Sequence, residues 1–159
     1  MDRYFMGGNN DPAMVSEIKF LSIKLRAIAQ ATEVEERVLK AMVFATGTEA
    51  ITVTKTEGHF GTPIVIFEAE LKKTAEIRRF NESLAKAGIL SQLRSEADPR
   101  TDEGCAFHFR LGKQEAFLGT LALAESHDVI DVRMKIGVYP AKREEAVRIL
   151  TDWMAEMAP

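Results

Sequence analysis

The stretch Val129-Ile130-Asp131-Val132-Arg133-Met134-Lys135-Ile136-Gly137-Val138 decides how this chain is read. Ile130, Val132, Met134, Ile136 and Val138 alternate with Asp131, Arg133 and Lys135, and a period of two places the apolar set on one side of a β-strand and the charges on the other. Such a strand asks for a covering layer on one face only. Two further segments carry the same signature. In residues 105–111, Cys105, Phe107, Phe109 and Leu111 oppose His108 and Arg110; in residues 18–28, Leu21, Ile23, Leu25 and Ala27 oppose Ser22, Lys24 and Arg26. Residues 50–55 and 64–71 are β-like runs, and the intervening Glu57-Gly58-His59-Phe60-Gly61-Thr62-Pro63 predicts a structured hairpin connection.

Between these strands the apolar period changes to that of helices. Thr32-Glu33-Val34-Glu35 fits a capping box, and Val34, Val38, Ala41, Met42 and Ala45 then fall on one stripe that ends near Gly47. Residues 72–87 predict a second helix with Ile77, Phe80 and Leu84 inward and Gly88 as its stop. Ile89, Leu90 and Leu93 suggest a short turn or helix before a polar loop at 95–104, and residues 113–117 a single helical turn. Residues 121–124 are a short apolar run. Pro140 suits the first turn of a closing helix whose buried stripe is Ala146, Ile149, Leu150, Trp153 and Met157. The expected class is α+β: a two-layer sandwich, with a mixed sheet covered on one face by about three helices. The turn formers of residues 1–14 read as a flexible leader and residues 15–159 as a single domain.

Composition narrows the functional classes. With 46% hydrophobic and 28% charged residues, the chain lies far from the signature of disorder. The single cysteine, Cys105, cannot form an internal disulfide or supply a thiolate metal site, which points to a reducing, cytoplasmic setting. No apolar run approaches membrane-spanning length, and residues 1–13 lack the apolar core of a secretion signal. A formal charge of −3 gives no global attraction for nucleic acid, so any RNA contact must be local.

Nucleotide-cradling GxxxxGK[ST] and GxGxxG loops are missing from the sequence, and His59, His108 and His127 are not spaced as paired metal ligands. The expectation is therefore no cofactor, no metal and no catalysis. Glu57 and His59 could in principle act as base and orienter or as two ligands; the competing reading is a loop histidine hydrogen-bonded to backbone, with Gly58 and Gly61 taking turn conformations. Cys105, on the apolar side of its strand, reads as a small buried hydrophobe.

The remaining constellation is electrostatic. Lys24, Arg26, Arg110, Arg133 and Lys135, with His108, all have the strand parity that points away from the helices, and five cations on one surface can pair with phosphates. Glu68, Glu70 and Asp131 share that parity, as they would on any solvated sheet. Strand order decides: neighbouring cationic strands with the acidic one at the edge make a patch, and alternation neutralises it. Phe107 and Phe109 have core parity and are not stacking residues. Phe60 is the aromatic expected at the surface, either stacking on a base or folded back as a loop anchor.

Three stretches together resemble an archaeal family described as RNA-binding and as a predicted exosome subunit. They are Ala31-Thr32-Glu33 leading into Arg37-Val38; Glu57-Gly58-His59-Phe60-Gly61 with Pro63-Ile64; and Phe109-Arg110 followed by Lys113-Gln114-Glu115-Ala116 and Gly119. The sequence departs from that pattern at Gln30, where histidine is usual, at Val34, where aspartate is usual, and at Thr62 in place of asparagine. The resemblance implies a two-layer fold like that of the large-subunit ribosomal protein bound to the small RNA of the central protuberance. It also implies RNA as partner. The resulting expectation is a non-catalytic RNA-binding protein in which Lys24, Arg26, Arg110, Lys113, Arg133 and Lys135 meet phosphates while Gly58, His59, Phe60 and Gly61 approach a base or sugar. The rival is a structural or assembly protein whose open sheet face forms a homodimer or docks onto an RNA-processing complex.

Overall fold

The computed structural model describes residues 20–125 and 127–158, so the leader expected at residues 1–14 lies outside the described residues. In chain order the elements are β1 (Phe20–Ala29), α1 (Glu35–Thr46), β2 (Thr52–Glu57), a 3-10 turn (His59–Gly61), β3 (Pro63–Leu71), α2 (Thr74–Ala87), α3 (Leu90–Ser95), β4 (Ala106–Gly112), α4 (Lys113–Phe117), β5 (Val129–Ile136) and α5 (Arg143–Met157). The strands form one sheet in the order β2-β3-β1-β5-β4, and every neighbouring pair is antiparallel. The expected mixed sheet is corrected: β3 returns from β2 and inserts between β2 and β1, and β5 inserts between β1 and β4, so no two parallel strands touch. No helix of the described residues is long and apolar enough to cross a membrane.

The inward parity set becomes the core. Ile23, Leu25 and Ala27 of β1, Phe67 and Leu71 of β3, Phe107 and Phe109 of β4, and Ile130, Val132, Met134 and Ile136 of β5 are buried. Against them pack Met42 of α1, Phe80 and Leu84 of α2, Leu90 and Leu93 of α3, and Leu150 and Trp153 of α5, in one apolar cluster. Each fully buried side chain of this size contributes about 1.5–3 kcal/mol by leaving water. The three long helices are those read from the sequence; α3 and α4 are the short ones.

Several local expectations are corrected. Leu21 is exposed, because the β1–β5 register shifts between Phe20 and Ser22 and Phe20 takes the inward place, meeting Trp153 edge-on at 4.9 Å. A bulge of this kind inverts parity on one side of itself. The Thr32–Glu35 capping box does not form: α1 starts at Glu35, and exposed Val34 at its N-cap makes no side-chain cap bond. The Glu33 carboxylate instead accepts the Gln30 backbone N–H at 2.9 Å and the Lys113 ammonium at 2.8 Å. Gly47 does end α1, in a left-handed conformation with its N–H bonded to Val43. Pro140 precedes α5 instead of opening it. Cys105 is buried but lies in the turn before β4, with φ of 64°.

The two edges of the sheet differ. Outside β4, residues 100 and 122 accept the backbone N–H groups of His108 and Gly112 at 2.9 Å each, and Arg110 accepts that of Ala124 at 3.1 Å. Nothing described covers β2, all six of whose residues are exposed.

Candidate nucleic-acid interface

Register brings the outward cations together. Lys24 is the Cα partner of Arg133, and Arg133 of His108, so these side chains stand in one line across β1, β5 and β4. Directly opposed residues on an antiparallel sheet face lie about 5 Å apart. The next line reads Glu68, Arg26, Asp131, Arg110 and alternates in sign. It is largely self-neutralised, with Arg26 3.8 Å from Glu68 and Arg110 3.2 Å from Asp131. In the first line Glu70 faces Lys24 across β3, but its carboxylate pairs with Lys72 at 3.8 Å. Among the described residues Lys24 and Arg133 have no ion-pair partner. Lys135, on the same face, donates to the Gly104 carbonyl.

The three cationic strands are thus neighbours, while the acidic strand, β3, lies one place in from the edge. The face is divided into one line with two adjacent cations and one line of alternating charge. Both line a concavity of about 650 Å³, together with Arg100 at its rim.

His108 is held in the trough by Asp102. The Asp102 Oδ2 lies 2.8 Å from His108 Nε2, while its Oδ1 accepts the backbone N–H groups of Gly104 at 2.9 Å and Ala106 at 3.0 Å. The His108 hydrogen bond, opposed by partial burial and aided by the two N–H groups, holds the Asp102 carboxyl below its usual range. A depressed carboxyl binds fewer protons folded than unfolded. Its stabilisation is present above the unfolded value of 3.8 and is lost as pH falls through the lower folded value. Asp102→Asn is therefore expected to melt at a lower temperature than the wild type at pH 7, and the gap is expected to close below about pH 4. Thermal denaturation at several pH values measures this; a gap that persists in acid contradicts it.

Lys113 does not reach this face. It opens α4, is 4% exposed, and its ammonium meets the Ile28 carbonyl at 2.7 Å, the Glu33 carboxylate at 2.8 Å and the Asp128 carboxylate at 3.2 Å. Three acceptors use all three N–H bonds of an ammonium, which leaves none for a phosphate. The expected phosphate contact is corrected to a structural clamp.

The glycine loop forms the tip of the β2–β3 hairpin. Gly58 and Thr62 are joined at 2.6 Å, Gly61 N–H donates to the Gly58 carbonyl at 3.0 Å, and both Phe60 and Gly61 have left-handed φ values, 70° and 74°. Phe60 is 93% exposed, which overturns the folded-back loop anchor. His59 meets its ring edge-on at 4.2 Å and takes no backbone hydrogen bond among the described residues. Nor do the described residues contain a group of three His, Cys, Asp or Glu placed to hold a metal ion.

A family model described as RNA binding matches residues 22–136, a span that includes the trough, the hairpin and the clamp. The chain belongs to this RNA-binding family. It is 35% identical over 152 residues to the RNA-binding protein PAB1135 of Pyrococcus abyssi, covering 89% of this chain and 97% of that protein. It is 30% identical over 138 residues to the uncharacterized protein MJ0213 of Methanocaldococcus jannaschii, covering 80% and 92%. Among solved structures, Mth689 from Methanothermobacter thermautotrophicus superposes with a TM-score of 0.76 at 27% identity, covering 86% of this chain and 98% of that one.

In this member of the RNA-binding family the three stretches of the sequence pattern do not converge on one site. Thr32 and Glu33 meet Lys113 and Gln114 at the end of the sheet, Arg110 lies in the trough, and Gly58 to Gly61 stand apart at the hairpin tip. Arg100, which lines the trough, and Asp102, which holds His108, lie outside the candidates read from the sequence. Their signal was the Asp102-Glu103-Gly104 turn, which folds residues 100–102 back onto β4. Tyr139, 98% exposed, and Phe44, 44% exposed, are surface aromatics in addition to Phe60.

Proposed function

We propose that this chain is a non-catalytic RNA-binding protein that seats phosphates on the Lys24, Arg133 and His108 line, with Arg26, Arg110 and Lys135 beside it. The observation that carries the reading is the adjacency of Lys24 and Arg133 in a concave face, neither of them in an ion pair among the described residues. Two cations whose Cα positions are about 5 Å apart suit one phosphate or two successive ones. Membership of an RNA-binding family and likeness to a relative named for RNA binding support the ligand class. Among the described residues Glu57 and His59 share no hydrogen bond or ion pair, and Cys105 is buried. The protein would work in the cytoplasm, and the resemblance to a family described as a predicted exosome subunit supports action within archaeal RNA-processing machinery.

Salt dependence tests this directly. Each phosphate contact to a single strand releases about 0.7 counterion. Lys24→Ala/Arg133→Ala is expected to bind single-stranded RNA more weakly and to flatten the plot of log affinity against log salt by about 1.4. Lys86→Glu, on α2 in the other layer, serves as the control for net charge and should leave the slope unchanged. Equal slopes for the wild type and the double variant would remove the phosphate seat. The alternating line of Glu68, Arg26, Asp131 and Arg110 favours a second reading, self-association, because a twofold contact needs self-complementary charge. A monomer mass at high protein concentration excludes that reading.

A further inference from the structure

Beyond the charged lines the open face of the sheet changes character. Ile28 of β1 pairs with Ile66 of β3, which pairs with Thr54 of β2; one step on, Ile64 pairs with Thr56. All five share the outward parity of Arg26 and Glu68. None carries charge, and the three isoleucines are half-buried on a face that no described helix covers. The track they make leads from the trough to the hairpin tip: a Cβ added at Gly58 would lie 3.5 Å from Ile64. There Phe60 stands almost wholly in water, in a left-handed conformation that is unfavourable for a bulky L-residue and that holds its ring outward.

We propose that one RNA strand lies along this face from the trough to the tip, with a phosphate between Lys24 and Arg133 and an unpaired base stacked on Phe60. The inference rests on the phosphate seat argued above and adds the class of RNA that fits. Phosphates need cations, and base faces need apolar or aromatic surface, which is the order in which the face presents them. Along β3 the distance from Glu70, beside Lys24, to Pro63, beside the tip, is seven residues, or about 23 Å. At about 3.4 Å per stacked nucleotide, this corresponds to at most roughly seven nucleotides, and to fewer where the strand is extended. The ligand is therefore an RNA with a single-stranded stretch of several nucleotides. A continuous duplex would keep every base paired and leave Phe60 nothing to stack on.

The test uses an oligouridylate trinucleotide, too short to reach, and a 12-nucleotide oligouridylate. Binding is followed by NMR titration for the former and fluorescence anisotropy for the latter, with wild type, Phe60→Ala, Phe60→Trp and Lys24→Ala/Arg133→Ala. One lost stack weakens binding by about 5- to 150-fold. Phe60→Ala is expected to lose at least fivefold on the 12-mer and nothing on the trinucleotide, with Phe60→Trp restoring the 12-mer. Phe60 touches only His59 among ring contacts and is exposed, so these variants keep the fold. If Phe60→Ala equals the wild type on the 12-mer while the Lys24/Arg133 variant is weakened on both lengths, the spanning strand is overturned and the phosphate seat stands; Phe60 is then left to a protein contact. Equal loss on both lengths by Phe60→Ala also overturns the span. If the Lys24/Arg133 variant equals the wild type on both lengths, the seat and the span fail together.

Discussion

Lys113→Met is expected to lower the thermal midpoint by about 4–12 °C. The ammonium at the start of α4 links the end of β1, through the Ile28 carbonyl, to Glu33 before α1 and Asp128 before β5. Removing it leaves two carboxylates facing a site from which their counter-charge has gone. Breaking a fully buried pair in this way costs about 3–5 kcal/mol. Glu33 and Asp128 keep 27% and 40% exposure, so water recovers part of the loss and about 2–3 kcal/mol is expected. The Lys113→Met/Glu33→Gln/Asp128→Asn variant, which removes the charges together, should recover much of that loss. Circular-dichroism melts of both variants measure the effect, and a single variant that melts with the wild type would refute the clamp.

Reversing the two unpaired cations should have the largest effect on binding. Lys24→Glu/Arg133→Glu changes the charge of the central line by four and places carboxylates where phosphates are proposed to sit. Each lost contact changes affinity by roughly tenfold at low salt, so a loss of at least about 100-fold is expected at 50 mM salt. The trough cations are exposed or half-buried on the face that no described helix covers, and the thermal midpoint should move little. Titration against structured and single-stranded RNA checks the first point and a melt the second. Unchanged affinity with an unchanged fold would leave the open face without an RNA role.

Much of the architecture was legible because it depends on local periods. The alternation in Val129 to Val138 gave the inward set of β5, and the stripes on the three long helices gave their buried faces, since a single element imposes each pattern. What escaped depends on partners distant in sequence. Strand order could not be read, although it separates a cationic line from a neutralised one: Lys24 and Arg133 are more than a hundred positions apart and become neighbours only because β5 inserts beside β1. Lys113 followed the rule that lysines face water, and its burial depends on acceptors from three other segments. The Thr32–Glu35 pattern misled for the same reason: Glu33, inside it, is held by the distant Lys113 ammonium, and α1 starts only at Glu35. The neutral track was hidden by residues 64–67, apolar at every position, whose two faces cannot be told apart by alternation. The loop gave its glycines and its surface aromatic but not the direction of the Phe60 ring.

The unequal edges of the sheet have a mechanical consequence. β1 is bonded on both sides and roofed by helices, whereas β2 is bonded on one side and wet on both faces, so opening free energies should fall outward from the middle of the sheet to the hairpin. The protein is then a stiff palm carrying one compliant finger. Groups in the palm meet a ligand in fixed geometry, while the finger can adjust its reach to strands of differing shape at the cost of a few ladder bonds.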